Sequence, residues 1–252
     1  MKILRFDKFE KLKIRPVNVS DLICDRILYK PSSRSELKDA VIELLSKNGP
    51  NADLNCIDTS GIIDMFSLFE GLPYGMSKSF NANISKWNVS NVVNMCRMFA
   101  NCQSFNGNLN KWNVNKVKDF RYMFHYCKKY NQPMDKWQIN DECDINMAGM
   151  FSGCENFDQN INTWNVSAVT NMHDMFKKCT KYNKPMDNWD VSNVKNLSRM
   201  FYECRHFNQN IGNWDVEYTW DIYGMFSGCD DFDKSTVGSW RNYDIKFEDL
   251  FI

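Results

Sequence analysis

No stretch of the sequence reaches the roughly 18 consecutive apolar residues that a membrane-spanning helix needs, so no span is expected. Neither sign of charge is in excess, with 31 Lys and Arg against 31 Asp and Glu. That balance argues against a nucleic-acid or anionic-membrane binder, whose affinity comes from surplus positive charge. There is no CxxC pair, no Gly-rich phosphate loop and no GxSxG, and His125, His173 and His206 fall at three different places in the pattern described below. No repeated metal-ligand set can be built from them. No nucleophile stands with a base either, so the chain reads as non-enzymatic, with no cofactor and no metal. Its opening, "MKILRFDKFEKLKIR", interrupts any apolar run with charge after a few residues, unlike a secretory leader. A cytoplasmic location is therefore the default expectation.

What the sequence does contain is one sentence written again and again. Trp87, Trp112, Trp137, Trp164, Trp189 and Trp214 follow one another at intervals of 25, 25, 27, 25 and 25 residues, with Trp240 a further 26 on. Val stands five residues after the Trp in most copies (Val92, Val117, Val169, Val194) and a Met-Phe pair at eleven and twelve (Met98-Phe99, Met123-Phe124, Met175-Phe176, Met200-Phe201, Met225-Phe226). A Cys follows three past the Phe, and an aromatic with Asn or Asp closes each unit, from Phe105-Asn106 to Phe232-Asp233. The third unit holds its pair at Met150-Phe151, two residues late, which places a bulge within "NDECD". A degenerate earlier unit, "IDTSGIIDMFSLF", runs from Ile57 to Phe69, with "GLPYGMSK" inserted before its Phe80-Asn81. There are about seven units.

A period near 25 predicts a solenoid, because one such unit cannot bury its apolar stripe alone and must lay it on its neighbours. Within a unit, "WNVSNV" alternates and predicts one short parallel strand, while "VVNMCRMFANC" carries apolar residues at helical spacing and predicts a short helix or 3-10 turn. Stacked about 5 Å apart, seven units make a rod some 35 Å long. Before the array, "PSSRSELKDAVIELLSKNGP" predicts an amphipathic capping helix with Ser35 as N-cap, an apolar face of Leu37, Ala40, Val41, Leu44 and Leu45, and a stop at Gly49-Pro50. The chain thus divides into a non-repeat segment 1–30 with one or two short strands, a helical cap 31–56, the repeats 57–239, and a C-terminal cap 240–252.

Six of the ten cysteines, Cys102, Cys127, Cys154, Cys179, Cys204 and Cys229, occupy one place in successive units. Neighbours about 5 Å apart fall within disulfide range, but stacked parallel side chains need not face each other, and reduced, buried packing is the expected state. The closing Asn or Asp is read as a ladder whose side chains bond the backbone. The "NVS" sequons at Asn88 and Asn165 fall inside the repeat frame and recur as "DVS" at Asp190, which gives them a structural reading.

"WNVSNVVNMCRMFANCQSFNGNLNKW" is similar to the repeat of the BspA-like leucine-rich-repeat family of bacterial surface proteins, mycoplasma lipoproteins and some viral and phage genomes; the likeness covers residues 31 to 232. It implies an irregular leucine-rich-repeat-like solenoid used for binding, often adhesion, with no catalytic residues to carry over. The partner it implies is a protein, met through positions that vary while the framework stays fixed. Around the Met-Phe pair these are Arg97, Arg121, Tyr122, His125, Tyr126, His173, Lys177, Lys178, Arg199, Tyr202, Arg205 and His206. Arg and Tyr are favoured at binding hot spots, so this basic and aromatic stripe is the candidate face. The plainer reading is of solvated side chains between framework residues. A structural part of a larger assembly, such as a phage or viral particle docking through residues 1–30, is the alternative function.

Overall fold

The computed structural model describes residues 29–141, 144–242 and 246–252. The strands expected before residue 29 and the centre of the "NDECD" bulge lie outside the described residues. Helix α1 spans Arg34–Asn48 and buries the five apolar residues of its face. Its N-cap is Ser33 rather than Ser35: the Ser33 hydroxyl accepts the Glu36 N–H at 3.2 Å, and the Glu36 carboxylate turns back to accept from the Ser32 N–H at 2.8 Å. The sequence explains the shift, since a carboxylate three residues after the cap closes the box, and Ser35 would have put Lys38 there. Gly49, at φ 80°, ends the helix by donating its N–H to the Leu45 carbonyl. The "GLPYGMSK" insertion forms a 3-10 turn, Pro73–Gly75, and the short helix α2, Met76–Ser79. Ser77 ties it down, its hydroxyl donating to the Phe69 carbonyl and accepting the Leu72 N–H, both at 2.8 Å.

From there the units lie one against the next in parallel register. Parallel bridges join Asp64 to Asn94, Asn94 to Asp119 and Asp119 to Asn146, and likewise Asn171 to Asn196 and Asn196 to Asp221. Between these two runs, strand β1 (Ile145–Asn146) pairs in parallel with β2 (Val169–Asn171). The pairing therefore falls on the Asn or Asp seven residues after the Trp, nine in the bulged third unit, and reaches into the Trp-led segment only at Val169. That segment is consumed instead by a tight turn, in which the side chain after the Trp accepts the N–H two residues on, as in Ser90 to Asn88, Ser167 to Asn165 and Ser192 to Asp190.

"VVNMCRMFANC" is not a helix either. In the unit that follows Trp87 the N–H groups of Met98, Ala100 and Cys102 bond three residues back, while those of Met95, Arg97, Phe99 and Asn101 leave the unit for the carbonyls of Asp119, Arg121, Met123 and His125. A helix would spend every N–H on itself. Here Arg97 and Asn101 adopt left-handed φ of 57° and 64°, which breaks the winding every fourth residue and exports alternate donors to the neighbour. Helical spacing of apolar residues survives because a run of such turns also repeats every three to four residues.

Inside this backbone the repeated side chains form columns. The Met-Phe rings step from Phe99 to Phe124, Phe151, Phe176, Phe201 and Phe226 at 5.3, 5.5, 5.6, 5.7 and 5.9 Å, stacked at each step. The closing aromatics run alongside, Phe105 to Tyr130 at 5.8 Å and Phe157 to Tyr182 at 5.8 Å. Each indole from Trp87 to Trp214 is buried and donates its N–H to a carbonyl of the preceding unit, for example Trp137 to Leu109 at 2.9 Å and Trp164 to Met134 at 2.8 Å. The closing Asn or Asp works the same way: the Asn106 side-chain oxygen accepts the Asn131 N–H, that of Asn131 the Asp158 N–H, and that of Asp158 the Asn183 N–H. No described cysteine is in a disulfide. Each ladder thiol instead lies against the Phe carbonyl of the preceding unit, at 3.0 Å for Cys127, Cys154 and Cys179. Burial pushes these thiols well up, which removes the reactive thiolate.

The C-terminal segment ends the columns by imitating them. Trp240 is buried and stacks on Trp214 at 6.4 Å, Phe251 stacks on Phe226 at 5.8 Å, and the carbonyls of Asp249 and Leu250 take the Gly224 and Phe226 N–H groups at 2.7 and 2.8 Å.

Candidate binding face

The left-handed residues form two further columns, and it is these that carry the variable side chains. One contains Arg97, Tyr122, Gly149, Asp174, Arg199 and Gly224; the other contains Asn101, Tyr126, Gly153, Lys178, Glu203 and Gly228, all at φ between 52° and 78°. Each non-glycine there carries about 1–2 kcal/mol of backbone cost. The unit-to-unit hydrogen bonds need that conformation, while the side chain is left free to vary. Tyr122 and Tyr126 are large where the next unit is small: their rings lie over Gly149 and Gly153, and a Cβ on Gly153 would stand 2.8 Å from the Tyr126 ring.

Two clusters result. In the first, Arg97 holds the Glu70 carboxylate through Nε at 2.8 Å and Nη2 at 2.5 Å, while Ser67 donates to the same carboxylate at 2.7 Å. The Arg97 hydrogen bonds keep the Glu70 carboxyl below its ordinary range against the opposing effect of burial. The Arg97 guanidinium sits 6.0 Å over the Tyr122 ring, and His125 meets the rings of Tyr122 and Tyr126 edge-on at 5.4 and 4.5 Å. Burial, helped by Arg97, lowers the His125 pKa. In the second cluster Asp174 is buried beneath Arg199, whose Nε lies 3.0 Å from Oδ1, with Lys177 at 3.6 Å and His173 at 3.4 Å. His173 Nδ1 lies 2.8 Å from the Ser198 hydroxyl, and Lys177 sits 5.3 Å over the Tyr202 ring. Lys178 faces Glu203 at 3.7 Å.

Nine of the twelve candidate residues are thus gathered into these two clusters on either side of the glycine pair. Arg121, Arg205 and His206 stand apart. Arg121 is clamped to Asp119 at 2.6 Å, and His206 is exposed beside Asp231 at 2.9 Å. The stripe is also less basic than its sequence suggests, because Glu70, Asp119, Asp174 and Glu203 lie against its cations. Asp174 and Glu203 stand in the same variable columns as those cations, whereas Glu70 comes from the neighbouring unit and Asp119 is a bridging framework residue. Sequence reading passed over Tyr218 and Trp220, both exposed. The signal was present: of the chain's eight tryptophans, seven keep the period and Trp220 does not.

A family profile described as "Mycoplasma protein of unknown function, DUF285" matches residues 40–146 and again 142–240. No curated protein and no solved structure matches the chain. The two successive matches agree with a repeated chain. No described helix is long and apolar enough to cross a membrane.

Proposed function

The chain belongs to the DUF285 family, and from that premise we propose that it is a non-catalytic binding protein, a leucine-rich-repeat-like solenoid of the BspA type, that meets a protein partner through the clusters around Tyr126 and Asp174. One observation carries the reading. The columns that hold the units together (Trp, Met-Phe, Cys and closing Asn) keep their residue types, whereas the columns on left-handed backbone change chemistry at every unit. Those positions require only a backbone conformation, so their side chains are free to be chosen for a partner. Rings held over glycines and guanidiniums held by carboxylates are also pre-positioned, which lowers the ordering cost of binding. An adhesive role is the finer form of the proposal.

A variant that keeps the backbone tests it. Tyr126→Gly and Lys178→Gly place glycine where φ is already positive, and Tyr202→Ser clears the face of the second cluster. Partners captured on the purified chain, quantified against this triple variant, should be lost by the variant while its thermal midpoint does not fall. Retention of every captured partner by a folded variant removes this face from the account.

A further inference from the structure

Two residues before the Trp, the side chains of successive units bond in pairs along the array: Asn110 Nδ2 donates to the Asp135 carboxylate and Asn162 Nδ2 to the Asp187 carboxylate, both at 2.9 Å. The next two members of that column are Gly212 and Gly238. Gly212 is held to glycine by the layer above it, since a Cβ there would stand 2.0 Å from the Thr236 carbonyl oxygen. Where the column loses its side chains, a cleft of about 720 Å³ opens across three layers, from Pro185 and Asp187 through Asn210 and Asn213 to Ser239. That volume falls in the range of small-molecule sites, roughly 300–1,000 Å³. The chain after Trp240 leads instead to the Met-Phe side of the layer, where the Asp249 carbonyl takes the Gly224 N–H.

The amides that wall the cleft are each pinned at one end. Asn210 Oδ1 accepts the Gly212 N–H at 3.1 Å, Asn213 Nδ2 donates to the Asp187 backbone carbonyl at 2.8 Å, and Gln209 Nε2 donates to the Asn183 side-chain oxygen at 2.6 Å. The Ser239 hydroxyl donates to the Gly212 carbonyl at 3.0 Å. A planar amide fixed through one end has its other end fixed as well. The arrangement leaves to a ligand one oriented donor, Asn210 Nδ2, and two oriented acceptors, Asn213 Oδ1 and Gln209 Oε1, beside the Asp187 carboxylate. None of the lining residues is a cation.

We propose that this cleft binds a neutral hexopyranose within an oligosaccharide, at a site separate from the variable stripe. Each sugar hydroxyl both donates and accepts, so neighbouring hydroxyls satisfy an amide donor and an amide acceptor side by side. The Asp187 carboxylate takes charge-assisted hydrogen bonds from hydroxyls, and the C–H face of the sugar ring lies on exposed Pro185. Because the amides are ordered before the ligand arrives, little side-chain freedom is lost on binding. A saccharide bearing carboxylates meets Asp187 with no lining cation to offset it. A neutral peptide is the competing occupant.

The probes are cellotetraose, maltotetraose, laminaritetraose and N-acetylated chitotetraose, titrated calorimetrically into the full chain to about 10 mM. At least one should give a saturable isotherm, and tetragalacturonate should give none. Asn210→Asp keeps an oxygen to accept the Gly212 N–H and replaces the donor with a second oxygen, so it should weaken binding at least about tenfold. Asn160→Asp is the control: Asn160 stands at the same place two units earlier, accepts the Asn162 N–H at 3.0 Å and is not among the lining residues. Binding should be unchanged by it and by the Tyr126→Gly, Lys178→Gly, Tyr202→Ser variant. Both Asp variants preserve the local hydrogen bond, and a matching melting curve establishes that each is folded. Binding of none of the four neutral probes, equal binding of tetragalacturonate, indifference to Asn210→Asp, or an equal loss with Asn160→Asp each overturns the proposal. A Gly-Ser octapeptide bound more tightly than every saccharide would overturn it in favour of a peptide site.

Discussion

Phe151 sits at the middle of the aromatic column, and replacing it with Ala is the perturbation that exposes how the array is held together. Its ring touches its own unit through Phe157 at 4.2 Å and Trp164 at 6.2 Å, and both neighbours through Phe124 at 5.5 Å and Phe176 at 5.6 Å. Removing a fully buried Phe costs about 3–5 kcal/mol when the cavity does not collapse, and stacked columns on both sides leave little to collapse inward. Phe226 is the control, with a similar environment of Phe201 at 5.9 Å, Phe232 at 4.1 Å and Phe251 at 5.8 Å. Local losses should be comparable, but the consequences should not. When stability is a sum of units and nearest-neighbour contacts, a central lesion uncouples two halves, whereas a terminal one frays one end. Urea unfolding followed by tryptophan emission should then show Phe151→Ala with a broadened or split transition and a reduced denaturant slope. Hydrogen exchange on Phe226→Ala should show protection lost only from about the Phe201 unit onward. Two variants with equal midpoint shifts, an unchanged slope and uniform loss of protection would refute the nearest-neighbour reasoning.

The hydroxyls of Tyr130 and Tyr182 are buried with no hydrogen-bond partner among the described residues, at positions where the alternate units carry Phe. Tyr130→Phe and Tyr182→Phe should therefore each stabilise the chain by about 1–2 kcal/mol in urea unfolding, and a loss would show that the hydroxyls are satisfied. Lys178 stands at φ 62°, so Lys178→Gly should raise stability by up to about 1 kcal/mol while Lys178→Val lowers it by more. Among the ladder thiols, Cys229 is half-buried and pushed up only to about 12, whereas Cys127, Cys179 and Cys204 are fully enclosed; alkylation under native conditions should label Cys229 first, and equal labelling rates would contradict the packed ladder. The Glu70 carboxyl is held low by Arg97, so the pair's stabilisation is present above the ordinary carboxylate pKa and is lost as pH falls through the lower folded value. Glu70→Gln should accordingly cost more at pH 7 than at pH 3, by about 1 kcal/mol, and a cost independent of pH would count against the pair.

The repeat frame, the buried Trp, Met-Phe and Cys positions and the capping helix could be read directly, because each is a matter of spacing and apolar character. The closing Asn column was legible as a backbone ladder, although its bonds run between units rather than within a turn. Left-handed geometry was not legible. Arg97, Tyr122 and Lys178 are residue types that rarely signal positive φ, and only Gly149 and Gly224 at the same place in other units hint at it. Without that conformation the turn-rich segment between Val92 and Cys102 mimics a helix, and the true pairing residue, Asn94, hides inside it. The pairing of Arg97 with Glu70 crosses 27 residues, and no local pattern encodes it. Trp220 was missed because it is an aromatic surrounded by framework aromatics, and only its departure from the period separates it from them.

Deleting residues 190–214, one whole unit from the residue after Trp189 to Trp214, tests the central claim most directly. The junction restores "NW" followed by "DVEYTW", so every column should close over the gap with a shorter array. Circular dichroism and tryptophan emission should show a folded, cooperatively melting chain with a somewhat lower midpoint, while removal of only residues 190–201 should unfold it. If both deletions unfold the chain alike, the units are not interchangeable layers of one stack and the account fails.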